Sequence, residues 1–556
     1  MVSAVEIPMA RHLQVFILGV FMLLVGSCIR DNDAHSFKGE IHSSRTALPL
    51  IDSIQIDRTL AKLKIASRYH NSVHEAYQRN EGATIWINNG GYNQHARLAA
   101  AFFWRFLSVN LLNANRFLPG MRQVFDGCMI SDTAKLESHD PVESDILFTC
   151  QSLMFLTDLS EGRKSLIAGQ PEWYIPVRKF HADSILKSTT LPDAILMNSP
   201  IHKQYLALSE KLIMLIKLEK GRGLNHITFN GRNLLPNDSS QTIAQIKKWM
   251  NAFGVFDGDL NSRRFDPQFE SAVRTARKNL GLRDTALVDN ELISQLNVPL
   301  SKRIRSVRIN LERWKWLPPD SSSSFVRVNI PDFSLDVIEK GVPIKTMRVI
   351  VGTESKHTVM FSDFIEHVVF SPYWNVPSSI LNKELWPLIR KDHHYLEKNE
   401  MEIVGNNGVI DPRRIAWHHY TGRTFPYRIR QKPGAKNALG LVKFSFPNPY
   451  GIYMHDTPSK DLFRAQKRAF SHGCIRIAEP KWMAQYLLRD KTEWTNSAID
   501  SAMHAGVESF VKLDHPVPVY ITYFTSWVNE FGMLQFREDL YGHDASMEQI
   551  MFSTKK

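Results

Sequence analysis

The hydrophobic pattern changes period once, near residue 300, and that change restricts the chain to a helical half followed by a sheet-rich half. Before it, apolar side chains recur every three or four residues. Ile201, Tyr205, Leu208, Leu212 and Leu215 line one face of a helix that Ser199-Pro200 opens and Gly221 and Gly223 end. After it, Val326, Val328 and Ile330 alternate with Arg327 and Asn329, the two-residue repeat of a half-buried strand. Further strands are predicted at Ser334–Glu339, Met347–Gly352, His367–Ser371, Leu441–Phe446, Ile452–His455, Val517–Ser526 and Met533–Arg537. The last two flank an Asn529-Glu530-Phe531-Gly532 hairpin turn. The fold class expected is α+β and multidomain. A chain of 556 residues suits three or four domains at roughly 150 residues each. With 43% hydrophobic and 22% charged residues, global disorder and fibrous structure are excluded.

The expected divisions are a signal segment at 1–28, a polar tether at 29–50, a helical scaffold at 51–224, a compact helical unit at 225–300, a β-rich domain at 301–540 and a tail at 541–556. A polar, basic, helical-looking insert at about 381–439 interrupts the β-rich domain. An insert of that size suits a functional lid. In the compact unit, Ser240, Asp266-Pro267 and Asp289 each open a short helix, and Gly254 and Gly281 end the first two. With its Asp257-Gly258-Asp259 loop, this three-helix unit resembles the peptidoglycan-binding domain family. It departs from that family at Ala276-Arg277, where an aromatic-Gln pair is usual.

At the N-terminus, Arg11 and His12 precede an apolar stretch from Leu13 to Gly26, short for a bilayer span but suited to a signal-peptide core. It stops at Val25-Gly26-Ser27-Cys28, which resembles the bacterial lipobox and implies lipidation of Cys28. The expectation is an exported, periplasmic, membrane-anchored lipoprotein of a Gram-negative-type bacterium. No 20-residue apolar run occurs, which excludes a polytopic membrane protein. The net charge of +12 suits an acidic polymer or anionic surface and equally an ordinary basic protein; no nucleic-acid partner is expected. Four cysteines are too few for a disulfide-built fold. Cys128 and Cys150 either pair in an oxidising compartment or stand as two buried thiols.

The chemistry concentrates at Tyr453-Met454-His455-Asp456-Thr457 and Ser471-His472-Gly473-Cys474-Ile475-Arg476. One histidine lies 19 residues before the cysteine, another two before it, and an arginine two after it. The thiolate is the nucleophile, and an imidazole and a guanidinium both favour the anion. Gly473 permits close approach of a substrate and helps aim N–H groups at an oxyanion. These residue types fit acyl transfer through a thioester; the bland alternatives are a buried thiol or a metal ligand. The pairs His393-His394 and His418-His419 look like metal ligands, but adjacent side chains diverge on strands and helices alike, so no metal and no cofactor are expected.

His455, Ser471-His472-Gly473-Cys474-Ile475-Arg476 and their spacing resemble the signature of the L,D-transpeptidases with a YkuD-type catalytic domain. Arg348-Val349-Ile350-Val351-Gly352, Trp374-Asn375-Val376-Pro377 and His455-Asp456-Thr457-Pro458 resemble the long, multidomain YcbB-type members. The resemblance implies Cys474 as nucleophile on the diaminopimelate carbonyl of a peptidoglycan tetrapeptide stem, with His455 as base. It implies Ser471, His472 and Gly473 as the nucleophile loop, with nearby N–H groups as the oxyanion hole. Arg476 would orient that loop or meet a stem carboxylate. Tyr453 is expected in the pocket, and Trp374 and Asn375 in the substrate groove or, for Trp374, the core. The partners implied are stem peptides and glycan, with carbapenems as inhibitors. An L,D-carboxypeptidase and a non-catalytic wall-binding scaffold remain as other readings. A papain-type protease is disfavoured because His455 precedes Cys474. The third member orienting His455 is expected to be a backbone carbonyl, since Asp456 points to the opposite face of a strand.

Overall fold

The computed structural model describes residues 50–552, except 89–90, 109–116, 130–139, 178, 180, 183–185, 187–189, 197–201, 222–223, 318–323 and 393. The expected signal segment, Cys28, the tether up to residue 49, Ser199-Pro200 with Ile201, Gly223 and His393 lie outside the described residues.

The N-terminal region is helical, with one small hairpin of β1 (Ile87–Asn88) and β2 (Gly91–Tyr92). Its centre is the helix Pro141–Glu161, capped by Asp140 and buried around nearly its whole surface. Asp145 on this helix accepts hydrogen bonds from the backbone N–H groups of Ile85, Trp86 and Ile87 at 3.1, 2.8 and 3.1 Å and from the Tyr77 hydroxyl at 2.6 Å. One carboxylate thus ties the hairpin to the central helix, because buried N–H groups need partners. The pairing considered for Cys128 and Cys150 is not formed. Both are free, buried thiols, one on Met121–Met129 and the other on the central helix. The predicted helix beyond residue 200 runs Lys203–Lys220, capped by His202.

The compact unit forms as its capping residues predict. Ser240 caps Gln241–Ala252, Asp266 caps Pro267–Asn279 and Asp289 caps Asn290–Leu296. Arg277, which replaces the expected polar contact residue, is buried. It donates to the carbonyls of Arg283 and Leu287 and pairs with Asp289 at 2.9 Å and Glu291 at 3.1 Å. It pins the following loop to the third helix.

The β-rich part begins later than the change of period suggests. Leu300–Lys315 is a helix, and the first strand after it starts at Phe325. The strands are β4 (Phe325–Asn329), β5 (Ser334–Glu339), β6 (Val342–Gly352), β7 (Met360–Phe370), β12 (Val442–Ser445), β13 (Met454–His455), β14 (Ala469–Ser471), β15 (Ile475–Ile477) and β16 (Ser509–Thr522). They pair in the order β12-β13-β15-β6-β5-β4-β16-β7, and β12 also pairs with β7, which closes the sheet on itself. Closure removes free edges and encloses one apolar core. β16 begins and ends earlier than the predicted Val517–Ser526: Val511 and Leu513 already alternate with Lys512 and Asp514, and His515-Pro516 hid the continuity by breaking that alternation at a register shift between Lys512 and Val517. The hairpin β17 (Ser526–Val528) and β18 (Leu534–Phe536) forms around the predicted turn.

Three of the expected divisions hold elements that the sequence reading did not include. The scaffold supplies β3 (Trp173–Tyr174), which runs parallel to β7 in the main sheet. The tail is instead a packed helix, His543–Phe552; its Asp544 pairs with the buried Arg313 at 2.5 Å. The insert has a sheet as well as helices: β8 (Trp374–Asn375), β9 (Met401–Gly405), β10 (Gly408–Ile410) and β11 (Arg428–Gln431), ordered β10-β9-β11-β8. It encloses its own apolar cluster around Trp386, Ile389, Ile403 and Ile429.

Candidate active site

β13 and β15 run parallel, with Met454 opposite Ile475 and His455 opposite Arg476. Opposed residues on neighbouring strands point to one face, and every second residue returns to it. One step back along both strands, the Ile475 N–H donates to the Tyr453 carbonyl at 3.0 Å, and Tyr453 falls beside Cys474. Tyr453, His455, Cys474 and Arg476 therefore share a face. β12 sets Lys443 opposite His455 and adds a second cation. The alternate residues Phe444, Met454, Ile475 and Ile477 are buried in the core on the other side.

Burial pushes the Cys474 thiol up from its ordinary pKa. Hydrogen bonds from Tyr453 and the charges of Lys443 and Arg476 pull it back. The sulfur also lies 3.7 Å from the Gly451 carbonyl, to which its S–H donates. His455 is 4% exposed. Its burial, and secondarily the Arg476 charge, drive its pKa down to about 3, so the ring is neutral at ordinary pH. Nδ1 faces the Asp456 carbonyl at 2.5 Å. That fixes the proton on Nδ1 and leaves Nε2 as the basic nitrogen. The orienting group is the backbone carbonyl that strand geometry implies. The Asp456 carboxylate serves elsewhere: it accepts from the Leu441 N–H at 2.9 Å and pairs with Lys460. The resting site thus holds a thiol beside a neutral imidazole rather than the preformed anion that the residue types suggested, because desolvation outweighs the nearby cations.

The loop before Cys474 is stapled from inside. Ser471 Oγ donates to the Cys474 carbonyl at 2.6 Å and accepts from the Gly473 N–H at 3.1 Å. That Gly473 N–H is therefore engaged and is not a free oxyanion donor in this state. Gly473 has φ +114°, and a Cβ there would lie 3.0 Å from the His357 carbonyl, so both backbone and space demand glycine. Thr358 Oγ1 donates to the Gly473 carbonyl at 2.7 Å and accepts from the Gly352 N–H at 2.9 Å, bracing the loop from β6. His472 is exposed and reaches the insert: its Nε2 is 2.5 Å from Glu384 Oε1, which also accepts from Lys356 Nζ at 2.7 Å. The Lys356 and His472 bonds hold the Glu384 carboxyl below its ordinary range.

Arg476 is half-buried, with no carboxylate partner among the described residues, and its Nε is buried without a hydrogen-bond partner. Lys443 Nζ sits 4.1 Å from the Tyr453 ring centre. Trp374 and Asn375 belong to the insert's sheet, opposite Gln431 and Arg430; Trp374 packs on the insert's apolar cluster and Asn375 is exposed. His394, His418 and His419 are exposed. Lys443, Glu384, Thr358 and Gly451 escaped the sequence reading. Lys443 alternates with Val442 and Phe444 and so was visible as an outward strand residue, but nothing local says which strand it would face. The scaffold also reaches this region, since Tyr174 of β3 stacks on Tyr450 at 4.7 Å, next to Gly451.

The closed sheet thus presents a half-buried thiol, a neutral imidazole and two cations on one face. Residues 323–518 match the L,D-transpeptidase catalytic domain (YkuD), and residues 71–212 match a scaffold domain. A Haemophilus influenzae protein described as "Putative L,D-transpeptidase" is 34% identical over 251 residues, covering 44% of this chain and 50% of that protein. The chain thus spans about half the length of that curated relative. Among solved structures, an L,D-transpeptidase from Xylanimonas cellulosilytica is 11% identical and covers 53% of this chain and 100% of that chain at a TM-score of 0.17. A fused Zn-dependent amidase/peptidase/peptidoglycan-binding domain-containing protein from Clostridium acetobutylicum is 10% identical with the same coverage at 0.15. At those TM-scores neither match carries an argument. The chain carries an L,D-transpeptidase catalytic domain of the YkuD type together with a scaffold domain.

Proposed function

We propose that the chain is a peptidoglycan L,D-transpeptidase that works through Cys474. The sulfur attacks the diaminopimelate carbonyl carbon of a tetrapeptide stem while His455 Nε2 takes the thiol proton. The tetrahedral species collapses, the C–N bond to the terminal D-Ala breaks, and His455 returns the proton to the departing amine. The side-chain amine of a second diaminopimelate then attacks the thioester. His455 accepts its proton, and the sulfur leaves and is reprotonated. The reading is carried by one observation: Tyr453, His455, Cys474, Arg476 and Lys443 converge on one face of a domain that matches this family. The unmatched guanidinium of Arg476 suits a stem carboxylate. The neutral imidazole leaves Nε2 free to take the thiol proton as the sulfur attacks. Export through the N-terminal segment, lipidation at Cys28, a periplasmic location and acylation by carbapenems belong to the same proposal.

The test is incubation of the protein with purified muropeptides, read by mass. A cross-linked dimer with loss of D-Ala supports the proposal. Tripeptide alone would reassign the chain as an L,D-carboxypeptidase. No product and no carbapenem adduct on Cys474 would make it a non-catalytic wall-binding protein.

A further inference from the structure

Behind the nucleophile loop, three segments far apart in sequence bring Glu172, His357 and His543 together. Glu172 stands at the turn into β3, His357 between β6 and β7, and His543 opens the C-terminal helix. Their ligating atoms all lie within 4.8 Å of one another. Glu172 Oε2 is 2.8 Å from His357 Nδ1 and 3.6 Å from His543 Nε2. We propose that these three side chains form a binding site for a divalent transition-metal ion of the zinc type, separate from the thiol site.

Two observations point to a cation here. First, His543 is 2% exposed, its Nε2 is buried without any hydrogen-bond partner, and that atom faces Glu172. An orphaned buried ring nitrogen is costly unless something binds it. Second, His357 Nε2 lies 2.9 Å from the Glu354 carbonyl, which can only accept. That contact places the ring proton on Nε2 and turns the Nδ1 lone pair toward a carboxylate oxygen at 2.8 Å. Two acceptors at that distance call for a cation between them. A proton on Nδ1 would answer this pair but would leave His543 Nε2 unanswered; a metal ion satisfies all three atoms.

The donor set agrees. Two imidazole nitrogens and one carboxylate oxygen suit zinc, and tetrahedral bonds near 2.0–2.1 Å imply ligand separations of about 3.3 Å, between the two measured contacts. A backbone carbonyl holding the far N–H of His357 is the usual orienting partner of a metal-bound histidine. The ring is also held flat against Tyr541, with centres 4.1 Å apart. The ion would clamp the scaffold, the C-terminal helix and the segment whose His357 and Thr358 backbone and side chain support Gly473. It would stabilise the loop that carries Cys474 without touching substrate.

The full chain with Cys474→Ala, which removes the competing thiolate, is stripped with EDTA and titrated with zinc alone. Bound metal is counted by mass spectrometry, and cobalt substitution is followed in the visible spectrum. The expected result is one equivalent with tetrahedral cobalt bands and a raised Tm. Glu172→Gln and His543→Gln, each added to that background, should weaken binding at least about tenfold and abolish the Tm rise. Circular dichroism checks folding; if His543→Gln fails to fold, Glu172→Gln decides. Absence of a bound equivalent, or an equivalent that survives Glu172→Gln, would overturn the site, and either result leaves the reading of Cys474 untouched.

Discussion

Cys150 in the helical scaffold and Cys474 in the closed sheet are both withdrawn from water, and burial raises both thiols. Around Cys150 nothing but a backbone hydrogen bond opposes that rise, and its pKa reaches about 12. Cys128 also reaches about 12, with Arg97 the opposing charge. Around Cys474, Tyr453, Lys443 and Arg476 all act against desolvation, and a neutral imidazole shares the face. The difference lies in the means of assembly. A helix surrounds its buried cysteine with side chains drawn from packing. A sheet places polar residues from separate strands at fixed spacing on one face. The polar company that Cys474 keeps is set by strand register, and the half-buried sulfur is also the more exposed of the two.

The strongest way to break this comparison is at the sulfur. Cys474→Ala and Cys474→Ser should each lower transfer by more than about a thousandfold and lose the carbapenem adduct by mass, since an alcohol is not ionised by this site. A serine variant that retains the adduct would show that the charges, not the thiol, carry the chemistry. Next, His455→Gln should reduce kcat by roughly 10²- to 10⁴-fold while Cys474 remains alkylatable, measured by turnover and iodoacetamide labelling in parallel.

His455 also predicts a pH dependence of stability. Its folded pKa, about 3, lies below its unfolded value, so the unfolded chain binds more protons in the interval between them. Stability from this group is present above about pH 6.5 and is lost as pH falls toward 3, by at most about 1.4 kcal/mol per pH unit. Denaturant melts of the wild type and His455→Gln from pH 7 to 4 should show a flatter profile in the variant. Equal slopes would mean that the ring is not buried neutral.

Native alkylation sharpens the contrast between the two regions. Among the described cysteines, iodoacetamide should modify Cys474 alone, at a rate that still climbs above pH 9, and reach Cys128 and Cys150 only after unfolding. Lys443→Met should slow labelling of Cys474 at pH 8 by about tenfold, one pKa unit's worth. The smallest effect is expected at the insert: Glu384→Gln cuts its link to His472 and should shift KM by no more than about threefold, leaving the labelling rate unchanged, as suits an exposed ion pair.

The readable parts were those with local causes. Ser240, Asp266 and Asp289 cap helices because a side-chain oxygen meets an N–H two or three residues on, and those contacts are present at 3.2, 2.8 and 2.8 Å. Ser334–Glu339 was readable to the residue because Leu335 and Val337 alternate with Ser334 and Asp336, and the β-branched Ile338 extends the run where the register shifts. The insert's strands were not, because β8 to β11 are short and pair only with one another, so their period never lasts long enough to show.

His455 and Cys474 stand out along the chain because residue types suited to thioester chemistry lie within two short segments, and the resemblance of those segments to a family signature is what assigns them roles. What the chain order left open was everything that depends on which strand lies beside which. Lys443 reaches the face because β12 pairs with β13, and Glu384 reaches His472 because the insert folds back on the nucleophile loop. Glu172 and His543, far apart in the sequence, meet because β3 pairs with β7 and brings Glu172 to the start of the C-terminal helix. Side-chain type and short-range hydrogen bonding are local properties that a sequence carries openly. Register, ring closure and the desolvation that shifts a pKa arise only when distant segments exclude water together, and those the tertiary structure alone decided.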